Sequence, residues 1–274
     1  MKSEFYTLRH LPNVLIVAIL AVMMAGISAV LQWALPFLLK IDPPQVGDSP
    51  TGQQVQALID GSDPTTSSFQ LAALDITGSG QSTGISIFLI AIVALTITAA
   101  SYPFSSGAVV WKVVGAGSRM KWVRSLIAAV LTVLLVCVAA CVLNSLIALV
   151  AAPMNDVSLV ASASNVAVVW LRGSLAVLLL TLAIIGVVLA IRRIGPAIGV
   201  IVAVLMAGVI LGTIGVMAGW EPYLYSWLPS SAVSIAGGQG ATQTMNPWVG
   251  IAVLAGWSVV SMGLGLTRFY RANL

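Results

Sequence analysis

Charge is what this sequence has least of. Its 274 residues include 12 lysines and arginines and 8 aspartates and glutamates, so only 7% of the chain is charged. Soluble domains carry about 25%. With 59% hydrophobic residues and a mean hydropathy of +1.05, a water-soluble fold of this length could not cover its surface. The composition is that of an integral membrane protein. The formal net charge of +4 then bears on topology and not on nucleic acid, since no basic cluster with interleaved aromatics is present beyond membrane borders. Histidine occurs once, as His10, and one imidazole makes neither a metal centre nor a convincing base. Cysteine occurs twice, at Cys137 and Cys141, four apart on one helix face. A disulfide there would be strained, and no histidine or carboxylate stands nearby in sequence, so both read as small packing residues. The sequence holds no nucleotide signature: "TGSGQSTG", Thr77 to Gly84, is not followed by Gly-Lys-Ser/Thr.

What is abundant is long apolar sequence. A helix crosses the hydrocarbon core with about 20 apolar residues. Six runs qualify: Val14 to Leu35, Ile85 to Ser101, Ser125 to Val150, Val166 to Ile191, Gly195 to Gly219 and Trp248 to Leu266. They are continuous, which excludes the short alternating strands of a barrel. The fold class expected is all-α, a single transmembrane domain over residues 1–274 with six spans. The first run exceeds a typical signal-peptide core and reads as a span.

Lysine and arginine set the orientation. With the N-terminus in the cytoplasm, Lys2, Arg9, Lys112, Arg119, Lys121, Arg124, Arg192, Arg193, Arg268 and Arg271 are inside, and only Lys40 and Arg172 fall toward the outside. Both termini are then cytoplasmic. Arg9, Lys121, Arg124, Arg192 and Arg193 read as inner-face anchors. Most tryptophans fall near predicted borders, where indoles prefer the headgroup level, and Trp257 alone is mid-span.

The outer loop 36–84 is too small for a core of its own and reads as a cap, with "QQVQALID" and "SSFQLAALD" as candidate short helices. The loop from Trp220 to Asn246 has Glu221 as its only charge and opens on "WEPYLYSWLP". It is expected to dip into, or lie along, the outer leaflet. "GVMAG", Gly215 to Gly219, fits a small-xxx-small packing face. Arg172 has two readings, snorkelling at the outer border or lining a cavity, and Asn144 has two, bonding a neighbouring helix or facing a cavity.

The segment from Ser105 to Arg124 carries four cations and no acid, yet its centre "VVWKVV" is apolar. Such a helix facing cytosol needs cover, either the inner headgroup layer or another protein. The spans hold almost no ionisable group, so the midplane acids of ion-driven transporters and the base pairs of intramembrane hydrolases are both missing. A subunit driven from its cytoplasmic face fits that pattern.

Five segments, taken in order, carry a resemblance. They are "MKSEFYTLRHLPNVLIV", "PFSSGAVVWKVVGAGSR", "LRGSLAVLLLTLAIIGVVLAIRRIGPAIGVIVAVL", "WLPSSAVSIAGG" and "NPWVGIAVLAGWSVVSMGLGLTRFYR". Together the chain resembles the membrane permease subunits of the type-2 ABC exporter superfamily, found mostly in bacteria. The second segment keeps that family's spacing of Glu, three residues, Gly-Thr, a hydrophobic helix and a closing Arg, with Gly107 and Arg119 at the matching positions. Pro103 stands for the Glu, Ala108 for the Thr, and Val110 for a common Arg.

The resemblance implies an amphipathic N-terminal helix at the inner surface and a half-transporter in the bacterial plasma membrane. Two permeases, identical or different, would each sit on an ABC-type ATPase that holds ATP and magnesium. This chain would bind no cofactor or metal and would not be an enzyme by itself. Gly107, Val109, Val110, Trp111, Lys112, Val113, Val114 and Arg119 would form a coupling helix between spans 2 and 3. The cargo would be amphiphilic or hydrophobic: a peptide, an antibiotic or a lipid-like molecule. The alternative is a non-transporting scaffold whose basic segment binds anionic lipid.

Overall fold

The computed structural model describes residues 12–41, 59, 61–78, 86–119, 122–123, 126–221, 224–239 and 245–271. All regular structure among them is helical: α1 Pro12–Ile41, α2 Ser67–Leu74, α3 Ile87–Ser105, α4 Val109–Ala116, α5 Ile127–Met154, α6 Ala163–Ile191, α7 Ile194–Met217, α8 Pro229–Gly237 and α9 Pro247–Arg271. Six of these, α1, α3, α5, α6, α7 and α9, are long and apolar enough to cross a membrane. The chain is a multi-pass membrane protein by that measure. The first eleven residues, where the amphipathic N-terminal helix was expected, lie outside the described residues, and so do Arg9, Lys121, Arg124 and most of "QQVQALID".

Helix boundaries depart from the apolar runs for local reasons. α1 continues past Pro36 to Ile41, six residues beyond the run. Trp33 near its far end packs edge-to-face on Phe69 of α2, ring centroids 5.4 Å apart, so protein contact extends the helix where lipid contact ends. α5 runs to Met154 and stops because Asp156 turns left-handed (φ 56°), which lets Val157 N–H donate to the Ala152 carbonyl at 3.0 Å. α6 starts on the Ser162 side chain, which accepts the Asn165 N–H at 3.3 Å. It ends where Arg192 adopts φ 58°.

α6 is the central helix. Val177, Leu180, Thr181, Ile184, Ile185 and Leu189 are buried on it. It packs against α2, α3, α5, α7, α8 and, most extensively, α9. The α6–α9 approach is close because both faces are small: a Cβ at Gly186 would collide with the Ser261 backbone, and one at Gly265 would collide with the Gly186 carbonyl. The Ser258 hydroxyl of α9 sits 2.6 Å from the Leu179 carbonyl of α6.

α1 shows the same inside-out pattern. Its buried stripe is Val14, Ala21, Ala25 and Ala29, while Ile16, Ile19, Met23, Ile27 and Val30 are exposed. Small residues inside and large apolar ones outside invert the soluble rule and suit a lipid solvent.

The bundle has two unlike ends. At one, called here the capped end, α2 and the α5–α6 connection close over the long helices. At the other, the basic end, lie α4, the α6–α7 turn and the C-terminus of α9. An aromatic cluster ties the basic end together: Phe104 of α3, Trp122 and Phe269 of α9 have centroids 5.1–6.4 Å apart.

Candidate functional site

At the basic end the chain places α4 so that two of its faces differ. Val109 is buried, and Val113 and Ala116 pack on the main core. Val110, Trp111 and Val114, which a 3.6-residue period puts on one side, are 41, 79 and 68% exposed. Trp111 is thus an exposed indole flanked by exposed valines. The helix ends at Gly117 (φ 71°), a conformation that costs glycine least. Gly107 (φ 67°) precedes it, with open space around the position a Cβ would take. Lys112 is half-buried.

Two arginines close the end of α9. Arg119 Nη1 donates to the carbonyls of Phe269 (3.3 Å) and Tyr270, and Arg192 Nη2 donates to that of Arg268 at 3.3 Å. Guanidinium groups at a helix C-terminus satisfy carbonyls that lack intrahelical partners and oppose the negative end of the dipole. Arg193, Arg268 and Arg271 are exposed. The four described acids, Asp63, Asp75, Asp156 and Glu221, all lie on segments of the opposite half.

The segment after α7 is placed by contacts at the middle of the bundle. The Ser230 hydroxyl donates to Leu205 O (2.9 Å), near the centre of α7, and Ser231 Oγ to Gly208 O (3.5 Å). Trp257, ten residues into α9, donates its indole N–H to Trp227 O at 2.7 Å. Tyr225 lies against Gly215 and Leu228 against Gly208. So the chain leaves α7, runs back alongside it to mid-height and returns through α8, which is buried along Pro229, Ala232, Val233 and Ala236. Gly215 therefore seats Tyr225 of this hairpin, whereas Gly219 has open space around it and belongs to the turn.

Arg172 serves the same hairpin. Its Nη2 donates to Gly237 O at 3.1 Å, and both Nη atoms crowd Gly238, the left-handed cap of α8. Its partner is thus a helix C-terminus. Asn144 is buried; with its amide oriented to suit its neighbours, it donates to Ala25 O of α1 (3.2 Å) and Ala140 O (3.3 Å). Arg172 and Asn144 are not brought to a common site.

Three features were not legible as functional positions. Gln70 of α2 is fully buried and makes four hydrogen bonds: Nε2 donates to Pro64 O (3.1 Å) and Ser158 O (2.9 Å), and Oε1 accepts from Val160 N (2.8 Å) and Ala161 N (3.0 Å). It joins the cap to the α5–α6 connection. Asp75, read from sequence as an outer-loop acid, is only 5% exposed. It accepts from Thr77 N–H at 3.0 Å and from the Thr77 hydroxyl, against Gly173 of α6. A narrow crevice lies between α3, α6, α7 and α8, with Thr77, Ser230 and Ser234 as its polar lining. None of the three had a sequence signal; Trp257, a mid-span indole that needs an acceptor, pointed only to the hairpin.

Cys137 and Cys141 are buried and free. Among the described residues no three His, Cys, Asp or Glu side chains gather as a metal site. No protein-family model, curated protein or solved structure matches this chain.

Proposed function

We propose that this chain is the membrane-spanning subunit of an ATP-driven exporter of the type-2 ABC class. In this reading it takes its energy through α4 from a separate ATPase. The carrying observation is the exposed Val110–Trp111–Val114 face, set on a helix that Val109, Val113 and Ala116 hold to the core at the end of the bundle that collects the cations. Apolar side chains held outward on an ordered helix suit insertion into a groove of another protein. The six apolar helices, the resemblance in five ordered segments and the rarity of ionisable groups within the spans support the same reading.

The basic end is then cytoplasmic, with both termini on that side, in the plasma membrane of a bacterium. The hairpin through Trp227 and α8 is the outer loop dipping into the membrane, its Trp227 and Gly237 carbonyls bonded by Trp257 and Arg172 and its Ser230 and Ser231 hydroxyls donating to α7 carbonyls. A second permease, identical or different, completes the path for an amphiphilic or hydrophobic cargo.

The test is affinity purification of the full chain and of Val110→Asp/Trp111→Asp from native membranes. The reading expects an ATP-hydrolysing partner with the wild type and its loss from the variant, with membrane insertion unchanged. Retention of that partner at the wild-type ratio would reject the assignment of α4. Retention of anionic lipid alone would favour the scaffold reading.

A further inference from the structure

We infer that the basic end of α9 carries a binding site for an anionic phospholipid, built from three separate parts of the chain. Arg192 from the end of α6 reaches the Arg268 carbonyl, Arg119 from the turn after α4 reaches Phe269 and Tyr270, and α9 itself adds Arg268 and Arg271. Four arginines thus belong to one helix end, two bonded to its carbonyls and two in its last turn, with no acid among the described residues of that end. The helix dipole supplies only about half a charge to offset them. An anion with several acceptor oxygens is what the arrangement lacks, and phosphate accepts from arginine in paired fashion.

The surface leading to the cluster specifies a lipid over a soluble phosphate. Val260, Leu264, Thr267 and Arg271 share one face of α9 by helical period, with Arg268 on its flank. Val260 and Leu264 are 58 and 59% exposed, and Arg268 and Arg271 are exposed below them. The face is apolar at Val260 and Leu264, polar at Thr267 and then cationic, the order of an acyl chain followed by its headgroup. The site shares Arg119 with the expected coupling segment, but its apolar face, Arg268 and Arg271 lie on α9, so it stands whether or not an ATPase docks on α4.

The experiment places the full chain in nanodiscs of phosphatidylcholine, alone or with a minority of phosphatidylglycerol, and measures retained lipid by native mass spectrometry. Arg268→Gln/Arg271→Gln is chosen because Arg119 and Arg192, which bond the helix end, are left in place. The wild type should retain phosphatidylglycerol in preference. The double variant should bind it about thirty-fold more weakly, the equivalent of about 2 kcal/mol for two cations. Arg268→Lys/Arg271→Lys should keep most of the preference. Soluble glycerol phosphate should not displace the lipid. Equal retention of both lipids, or displacement by glycerol phosphate, would overturn the proposal. Should the glutamine variant unfold, the wild type decides: its preference must fall as salt rises, and a salt-independent preference would overturn the site.

Discussion

The two ends of this molecule differ in charge and in what holds them together. At the capped end, several polar side chains that enter the interior find partners within the chain, although the Trp33 and Trp170 indole N–H groups, the Ser86 hydroxyl and Arg172 Nε are buried without one. Gln70 uses two donors and two acceptor positions at once, Asp75 accepts from Thr77, and Arg172 closes α8. At the basic end the interior is equally well packed, through Phe104, Trp122 and Phe269, but the surface is left with an outward indole and a group of cations. Exposed indoles are not peculiar to the basic end, since Trp220, Trp227 and Trp248 are 44, 66 and 55% exposed on the other half; what sets Trp111 apart is its place among cations. An outward apolar face beside a group of cations is what makes the basic end the candidate for a partner.

The largest effect expected from breaking this contrast is at Gln70. Gln70→Leu leaves two carbonyls and two N–H groups without their partner, at about 1–3 kcal/mol for each one that stays buried. A fall of roughly 3 kcal/mol or more in stability is expected, read as a lowered unfolding midpoint in detergent and as proteolysis within residues 59–78 and 155–162. Wild-type stability in this variant would mean the cap is not held as described. Next is Val110→Asp/Trp111→Asp at the basic end. Both side chains are exposed, so the unfolding midpoint should stay within about 0.5 kcal/mol of the wild type, and a large loss would show that α4 supports the fold itself. Arg172→Gln comes third. Losing a cation and donor at the end of α8 should cost about 1 kcal/mol and speed hydrogen exchange in residues 229–238, with little change at the basic end.

The smallest effect concerns pH at the capped end. Asp63 accepts from the Thr65 hydroxyl and backbone N–H, which holds its carboxyl below the ordinary value. A depressed pKa contributes stability that is present above the unfolded value, about 3.9, and is lost as pH falls through the folded value. Because the group is fully exposed, the turn before α2 should loosen only slightly in acid, and Asp63→Asn should remove that dependence. Hydrogen exchange at Thr65 reads both.

The spans were legible because lipid imposes one strong constraint, a continuous apolar helix, and each of the six runs overlaps one. Their ends were less legible. α1 outlasts its run because Phe69 and the cap hold it, a contact hydropathy does not encode. Gln70 looked like one polar residue in a short amphiphilic segment; its partners Ser158, Val160 and Ala161 are 88 to 91 positions away. The depth of the 220–246 hairpin depends on Ser230 meeting Leu205 and Trp257 meeting Trp227, again through distant pairing. The apolar centre of α4 was visible in sequence. Which of its faces points outward was not, because that depends on Val109, Val113 and Ala116 finding the core.

The central claim is that the exposed face of α4 is where another protein delivers energy. Trp111→Cys puts a single reactive thiol there, since Cys137 and Cys141 are both buried. Short bifunctional cross-linking in native membranes should join this position to one partner chain, and the joined complex should hydrolyse ATP. Cross-linking to lipid alone, with no nucleotide-hydrolysing chain recovered, would contradict the account.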